Sequence, residues 1–197
     1  KFYKTKVQKP LPLQSIPRNY TRYGMPEEEF LEKLLSIGRP DVIGVTSGMT
    51  YWYPGLFKTI ETIKKIFQNV PIILGGIYAT VCYNHAVKYS GADIVFKGRD
   101  ELRVLQVISE LSNFELRTPN SGLRTDELPY PAFDLYRQLD YVSILTSRGC
   151  PFHCSYCATP VLTGEFSRRD PFKVAEEIKY WTTRYSIQNI AFYDDAL

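Results

Sequence analysis

The chain has 197 residues, of which 44% are hydrophobic, 14% aromatic and 23% charged, a globular composition that suits one large domain or two small ones. Its 24 basic and 21 acidic side chains leave a net charge of +3, too close to neutral to indicate a nucleic-acid-binding surface. No apolar run is long enough to span a bilayer and no N-terminal segment is typical of a secretory signal, so we expect a cytoplasmic protein.

Short apolar strands alternate with helices through the first half of the chain. Residues 1–25 contain three prolines and predict an extended arm. Residues 26–112 predict an α/β domain with a flavodoxin/Rossmann-like parallel sheet, because strands joined by helices pair in parallel. After a first helix that starts near Pro26, the pattern predicts strands at 41–47, 71–76 and 93–98, each followed by a helix, at 55–68, 80–89 and 99–111.

Residues 113–140 interrupt this alternation, and the proline-rich stretch LPYPAFDL at 128–135 predicts a linker. A second alternation begins at residue 141 and continues to residue 197. It comprises a strand, a cysteine-rich loop, a helix and a further strand, at 141–147, 149–157, 171–184 and 189–195. This unit is too short to be a finished domain, so it predicts the beginning of a larger one.

Three of the four cysteines lie in the loop GCPFHCSYC, spaced C-x3-C-x2-C. Such crowding is not typical of a secreted disulfide framework. Three thiolates within eight residues can instead bind a soft metal centre. A structural zinc site is an alternative and needs a fourth ligand, for which His153 or Cys82 are the candidates. Disulfide pairing is a further alternative and leaves one thiol over.

The cysteine loop, with Tyr156 just before its last cysteine, resembles the signature of the radical S-adenosylmethionine superfamily. Residues 141–160 (YVSILTSRGCPFHCSYCATP) resemble the first strand and the cluster loop of that family's partial TIM barrel. The resemblance implies an enzyme in which Cys150, Cys154 and Cys157 hold a [4Fe-4S] cluster that binds S-adenosylmethionine at its open iron. Reductive cleavage of that cofactor yields a radical that modifies an unactivated carbon of a small-molecule or macromolecular substrate. It also implies a reduced flavodoxin- or ferredoxin-type electron donor, and we expect no nucleic-acid partner.

The resemblance implies further site residues. Tyr156 is expected either as a wall of the adenine site or as a core aromatic. Asp194 and Asp195 are expected near the amino group of S-adenosylmethionine, where a carboxylate complements a cation, or else at a strand end as the cap of a helix. Arg168 and Arg169 are expected as a solvated surface pair, either of which could meet a carboxylate.

The first domain resembles the cobalamin-binding domain that precedes the barrel in cobalamin-dependent radical enzymes. The resemblance is carried by ADIVFKGRDE at 92–101, with Arg99 in place of the usual glutamate, and by LPYPAFDL. It implies a cobalamin site at the strand ends and methyl transfer as the leading reaction. The loop residues expected there, which ordinary tight turns would also explain, are Ser47, Gly48, Gly75 and Gly76. The motif D-x-H-x-x-G is absent from the sequence, so either cobalamin binds without that histidine, the motif lies upstream of Lys1, or the fold is retained without cobalamin.

Three alternatives stay open. One is an enzyme related to those that methylthiolate transfer RNA, although their first domains carry three further cysteines where this chain has only Cys82. The second is a zinc-stabilised module without catalytic activity, and the third an inactive module that binds cobalamin or a nucleotide. Because the sequence begins at Lys1 rather than at a methionine, we expect a segment of a longer protein, which need not be active alone.

Overall fold

The first residues of the chain form a small antiparallel sheet. The computed structural model describes residues 3–112, 125–136 and 138–196. Strand β1 (Lys4–Lys6) pairs with strand β2 (Thr21–Tyr23). The segment expected as an extended arm is therefore two extended strands joined by a loop that contains a short 3-10 turn. These strands are short and all their side chains are exposed or half-buried, so they show no hydrophobic alternation from which a strand could be predicted.

A three-stranded parallel sheet forms the centre of the first unit. The strand order is β3-β4-β5, and the pairs Ile43–Ile72 and Ile73–Ile94 fix its register. This is the predicted parallel α/β architecture. Its elements are α1 (Glu27–Ser36), β3 (Ile43–Ser47), α2 (Tyr53–Ile66), β4 (Ile72–Gly75), α3 (Gly76–Val81), α4 (Tyr83–Tyr89), β5 (Ile94–Val95) and α5 (Glu101–Leu111).

The central strand β4 is buried on both of its faces. Ile72 and Leu74 are fully buried, and Ile73, which points to the opposite face, is 6% exposed. Ile60 of α2 and Tyr78 of α3 belong to the same core as Ile72 and Leu74. Burying each such side chain stabilises the fold by about 1.5–3 kcal/mol, so the continuous apolar run of β4 anchors the sheet.

The helix predicted at 80–89 is two helices in the structure. α3 starts at Gly76, directly after β4. The helical conformation is interrupted at Cys82, whose φ and ψ are −113° and 39°, and α4 starts at the next residue. Cys82 is half-buried and packs against the core of the first unit, as expected of a small apolar residue. α3 therefore starts at the carboxyl end of β4, where the candidate cobalamin residues Gly75 and Gly76 lie.

The second unit is built on two parallel strands that flank one long helix. β6 pairs in parallel with β9 from Tyr141–Asn189 to Ile144–Phe192. The helix between them begins at Pro171 behind the N-cap Asp170, whose side chain accepts a hydrogen bond from the Phe172 N–H, as its sequence predicted. The elements are β6 (Tyr141–Ile144), β7 (Ser147–Arg148), α6 (Thr159–Thr163), β8 (Ser167–Arg168), α7 (Pro171–Tyr185) and β9 (Asn189–Phe192).

The core of the second unit lies on one face of its strands. Trp181 of α7 is 1% exposed and packs with Val142 and Ile144 of β6. On the other side, Tyr141 is 50% exposed. The alternating exposure along β6 follows from the alternation of side chains along a strand, and only one face of this two-stranded sheet is covered.

Arg169 is not a solvated surface residue, but it meets carboxylates, which was the other expectation for this pair. Its guanidinium lies 2.7 Å from Asp126 Oδ1 and 2.7 Å from Glu177 Oε2, and it donates to the Leu145 carbonyl at 2.9 Å. Its side chain is only 8% exposed, whereas Arg168 is exposed as predicted. The carboxylates of Asp126 and Glu177 compensate the buried charge of Arg169. Because Asp126 belongs to the predicted linker, this ion pair connects the linker to the second unit.

Part of the predicted linker, residues 113–124 and Arg137, lies outside the described residues. The described part contains two 3-10 turns, Thr125–Glu127 and Phe133–Leu135. The domain boundaries after residues 25, 112 and 140 stay predictions. Among the helices of the described ranges, none has the length and apolar character needed to cross a membrane.

Candidate functional site

The cysteine loop is closed at its base by a short antiparallel pair. Ser147 of β7 pairs with Arg168 of β8 and Arg148 pairs with Ser167, so residues 149–166 leave and re-enter the unit at one place. The loop starts at Gly149, whose φ is +77°, a value that favours glycine. A Cβ at this position would lie 3.2 Å from the hydroxyl of Thr163, a tight contact, so the close approach of the backbone to α6 also favours glycine here.

The three thiols of the loop differ in exposure. Cys150 is half-buried beside β7, while Cys154 and Cys157 are exposed, and all four cysteines of the chain are free. A turn holds the last two together, since the Cys157 N–H donates to the Cys154 carbonyl at 3.0 Å. Within the described ranges, no group of three or more histidine, cysteine, aspartate or glutamate side chains is arranged to hold a metal ion. The assignment of the three cysteines as ligands stays a prediction.

Two hydrogen bonds within the cysteine loop act on the protonation of Cys157. Its Sγ lies 3.2 Å from the Thr159 hydroxyl and 3.5 Å from the Thr159 N–H. These two hydrogen bonds hold the pKa of Cys157 below its ordinary value, although the nearby Asp195 carboxylate opposes them. A lower pKa favours the thiolate, which is the form that binds metals. The structure thus brings Asp195 into the neighbourhood of Cys157.

Asp194 joins the end of β9 to the base of the cysteine loop. Its Oδ1 accepts hydrogen bonds from the Thr146 N–H and hydroxyl at 2.9 and 3.0 Å and from the Ser147 N–H and hydroxyl at 2.5 and 2.7 Å. Burial alone would raise the pKa of Asp194, but these donors outweigh it and lower the pKa. Its Oδ2 is buried and has no hydrogen-bond partner among the described residues, so one oxygen fastens the loop and the other remains free to accept a donor.

Tyr156 is 91% exposed, so its interpretation as a core aromatic is wrong. The structure leaves its ring open to solvent on the cysteine loop. Its assignment to an adenine site stays a prediction. His153, proposed as a fourth ligand for a zinc site, is also exposed.

The four residues predicted for cobalamin lie at the carboxyl ends of β3 and β4. Ser47 forms a parallel bridge with Gly76, and Ser47 is 4% exposed. Gly76 has a φ of +90°, and a Cβ there would lie 2.7 Å from the Ser47 carbonyl oxygen and would also clash with the Thr46 hydroxyl. Gly75, by contrast, has open space around the place of a Cβ. Of these two glycines, only Gly76 is required for close packing. The assignment of the four residues to cobalamin stays a prediction.

Exposed apolar side chains follow directly after Gly48. Met49, Tyr51 and Trp52 are 42%, 68% and 55% exposed, and they lie at the carboxyl edge of the sheet. In open parallel sheets this edge is where ligands bind. The Ser47 hydroxyl donates to the Met49 carbonyl at 2.8 Å, which holds the turn that presents these side chains.

Sequence reasoning missed the residues that connect the sheet edge to the cysteine loop. The buried Thr80 hydroxyl bonds to the Gly76 carbonyl at 2.9 Å and accepts from the Gly98 N–H at 3.0 Å. Glu101, the first residue of α5, lies 3.1 Å from Arg148, two positions before the first cysteine of the loop. The sequence carries no local signal for the ion pair, because its partners are 47 positions apart.

Comparison with known proteins identifies relatives of both units. Residues 18–108 match the family model of the B12 binding domain. The chain is 28% identical over 193 residues to an uncharacterized methyltransferase of Pyrococcus horikoshii, covering 84% of this chain and 42% of the relative. It is 27% identical to the anaerobic magnesium-protoporphyrin IX monomethyl ester cyclase of Synechocystis, covering 76% of this chain and 35% of the relative. The chain thus spans less than half the length of these curated relatives.

A solved structure shares the fold of most of the chain. The radical S-adenosylmethionine methyltransferase TsrM from Kitasatospora setae, with cobalamin and a 4Fe–4S cluster bound, superposes with a TM-score of 0.61 at 16% identity. The match covers 84% of this chain and 39% of that one. It confirms the predicted fold, a Rossmann-like parallel-sheet domain followed by the first strands of a partial barrel.

Proposed function

We propose that this chain, a segment of the cobalamin-binding-domain-containing subgroup of radical S-adenosylmethionine proteins, binds a 4Fe–4S cluster through Cys150, Cys154 and Cys157. The observation that carries the proposal is the position of these thiols. They share one loop at the end of the first strand of a parallel βαβ unit, and a segment that matches the B12 binding domain precedes that unit. When bound, such a cluster supplies the electron that cleaves S-adenosylmethionine to a carbon radical. The reaction we propose is modification of an unactivated carbon, with methyl transfer as the leading case.

The chemistry of the donor set suits an iron–sulfur centre. Thiolates are the usual ligands of such clusters, and the lowered pKa of Cys157 favours the ligating form. Two of the three thiols are exposed, so a cluster can reach them without disrupting a core. A zinc site would draw its fourth ligand from His153 or Cys82, and metal analysis separates the two cases.

Two features suit S-adenosylmethionine beside that loop. The buried Oδ2 of Asp194 has no donor within the described part of the chain, and the ammonium group of the cofactor is a donor of complementary charge. The exposed ring of Tyr156 offers an aromatic face to the adenine. Asp195, close enough to act on Cys157, is the second carboxylate of this group.

For cobalamin we propose the carboxyl edge of the β3-β4-β5 sheet. Ser47, Gly48, Gly75 and Gly76 line the ends of its first two strands, and the exposed Trp52 lies just after them. None of residues 1–197 forms the motif D-x-H-x-x-G, so no residue of this segment would supply the histidine of that motif to cobalt. The match of residues 18–108 to the B12 binding domain is the support for this part of the proposal.

Anaerobic reconstitution of the full chain with iron and sulfide tests the cluster. We expect about four irons and four sulfides per chain, and we expect Cys150→Ala, Cys154→Ala and Cys157→Ala each to lose most of both. Cys82→Ala is the matched control and retains the full content, because Cys82 packs in the core of the first unit. One zinc without inorganic sulfide would instead establish the zinc-stabilised module.

Cofactor binding is tested separately from the cluster. Cyanocobalamin titrated into the chain is expected to change its visible spectrum on binding, and Gly76→Val is expected to weaken that binding. Formation of 5′-deoxyadenosine after addition of dithionite, which replaces a flavodoxin- or ferredoxin-type donor, tests cleavage of S-adenosylmethionine. A cluster-loaded chain that yields no 5′-deoxyadenosine would leave a cofactor-binding module rather than an active enzyme.

A further inference from the structure

One ion pair joins the first unit to the start of the cysteine loop. The Arg148 guanidinium lies 3.1 Å from Glu101 Oε1, and Arg99 lies 3.4 Å from the same oxygen. The Arg148 side chain is only 18% exposed, and its Nε is buried without a hydrogen-bond partner among the described residues. A largely desolvated arginine with an unused donor depends on its carboxylate, because an uncompensated buried charge is costly.

On one side, Glu101 is connected to the carboxyl edge of the parallel sheet. Gly98, three residues after the end of β5, has a φ of +73°, and its N–H donates to the buried Thr80 hydroxyl at 3.0 Å. That hydroxyl donates in turn to the carbonyl of Gly76 at 2.9 Å. These hydrogen bonds connect Gly76, at the end of β4, to the segment that leads into the first turn of α5, which carries Glu101.

On the other side, Arg148 fixes the start of the cysteine loop. It is the last residue of β7, and only Gly149 separates it from Cys150. A Cβ at Gly149 would meet the Thr163 hydroxyl at 3.2 Å, a tight contact, so Arg148 and Cys150 flank a closely packed piece of backbone. Of the three thiols, Cys150 is the half-buried one, and it lies nearest in sequence to the ion pair.

We propose that the Glu101–Arg148 ion pair couples ligand binding at the edge of the sheet to the position of Cys150, which makes Glu101 and Arg148 positioning residues for the cysteine loop. The inference rests on the proposed function, since it takes the edge ligand to be a cobalamin and the loop ligand to be an iron–sulfur cluster. Coupling between two sites is reciprocal. Cluster binding therefore changes the cobalamin dissociation constant by the same factor by which cobalamin changes the affinity for the cluster.

The first test uses the cofactor-free chain. Site-resolved alkylation with iodoacetamide, followed by mass spectrometry, measures the reactivity of each thiol. Glu101→Gln is expected to accelerate alkylation of Cys150 about fivefold or more, while Cys154 and Cys157 serve as internal references. Glu110→Gln is the matched control on the same helix, because Glu110 forms an exposed pair with Arg103. Equal alkylation rates of Cys150 in wild type, Glu101→Gln and Glu110→Gln would show that the ion pair does not position Cys150.

The second test measures the coupling itself. The cyanocobalamin dissociation constant is determined with and without the reconstituted cluster, in wild type, Glu101→Gln, Arg148→Gln and the double variant. In wild type we expect the two constants to differ about fivefold or more, within the range typical of coupled sites. Each single variant is expected to bring the ratio close to about one, and the double variant to have no further effect, as for two residues that act through one contact.

The outcomes separate this inference from the function beneath it. A chain that binds neither cyanocobalamin nor a cluster refutes the proposed function, whereas the alkylation result still decides whether the ion pair positions Cys150. A chain that binds both, with the same coupling ratio in wild type and Glu101→Gln, refutes the inference and leaves the proposed function intact. Correct folding of each variant is checked by circular dichroism, and Glu101→Gln alone decides the coupling where Arg148→Gln does not fold.

Discussion

The central strands of the two units are buried in different ways. In the first unit, three successive residues of β4 are buried, so helices and loops cover both faces of the sheet. In the second unit, β6 alternates between more exposed and buried residues, and the face of the β6-β9 pair that carries Tyr141 remains partly open. The core of the first unit therefore contains more buried apolar side chains than the core of the second unit.

This difference bears on the candidate site because the cysteine loop belongs to the second unit. The loop is fastened by polar contacts rather than by a core of its own, namely by Asp194 below it and by Arg148 at its start. Polar contacts fix geometry but contribute modest net stability, about 0.5–1.5 kcal/mol for a typical hydrogen bond. We therefore expect the sheet of the first unit to keep its geometry when a ligand binds, and the cysteine loop to adjust.

The largest change in unfolding free energy is expected from Trp181→Ala, in the core of the second unit. Trp181 is the largest fully buried side chain of the second unit, and its truncation is expected to cost about 3–5 kcal/mol of unfolding free energy. Phe172→Ala, on the same helix but with 82% exposure, is expected to change it by less than about 0.5 kcal/mol. Hydrogen exchange followed by mass spectrometry should show lost protection in 141–144 and retained protection in 72–75. Equal loss in both strands would mean that the two units unfold as one.

A smaller effect in the first unit is expected from Gly76→Ala. The positive φ and the clash with the Ser47 carbonyl should together cost about 2–4 kcal/mol of unfolding free energy. Gly75→Ala, one residue earlier, meets open space and is expected to be neutral or slightly stabilising. Chemical denaturation monitored by circular dichroism measures both variants. If they had equal stability, the close packing at the end of β4 would not be a constraint on the fold.

The smallest effect concerns the pH dependence of the loop anchor. Because the pKa of Asp194 is lowered in the folded chain, its contribution to stability is present above the ordinary aspartate pKa of about 3.9 and is lost as the pH falls through the lowered value. Asp194→Asn is expected to cost about 1–2 kcal/mol at neutral pH and to weaken the acid dependence of unfolding. Asp195→Asn, at an exposed position, is the control. An acid transition with the same slope in wild type and Asp194→Asn would mean that the carboxylate does not anchor the loop.

Local patterns in the sequence predicted most of the fold. β4 could be recognised from an apolar run between Pro71 and Gly76, and α7 from Asp170 and Pro171 at its start. The division of the predicted helix at Cys82 could not be recognised, because no glycine or proline marks it. The pairing of β1 with β2 was missed for a similar reason, since neither strand has a buried face.

The candidate site was predicted only in part, because its residue types are local but its contacts are not. The three cysteines were predicted from their spacing and from the family resemblance of their loop, and Asp194 from the resemblance of its strand to the second barrel strand. The bonds that hold them link residues 43 to 48 positions apart, such as Arg169 to Asp126 and Thr146 to Asp194. No periodicity or motif encodes such distances. Only the folded chain shows that Arg169 is a buried link and that Arg148 reaches Glu101.

The two tryptophans of the chain are divided between the two units. Trp52 is 55% exposed at the edge of the first sheet, and Trp181 is 1% exposed in the core of the second unit. An indole in water emits at longer wavelength than one in an apolar core, so the intrinsic fluorescence of the chain contains one red-shifted and one blue-shifted component. Each unit therefore carries its own optical reporter, and ligand binding at the sheet edge can be followed by emission from Trp52 while Trp181 records the integrity of the other core.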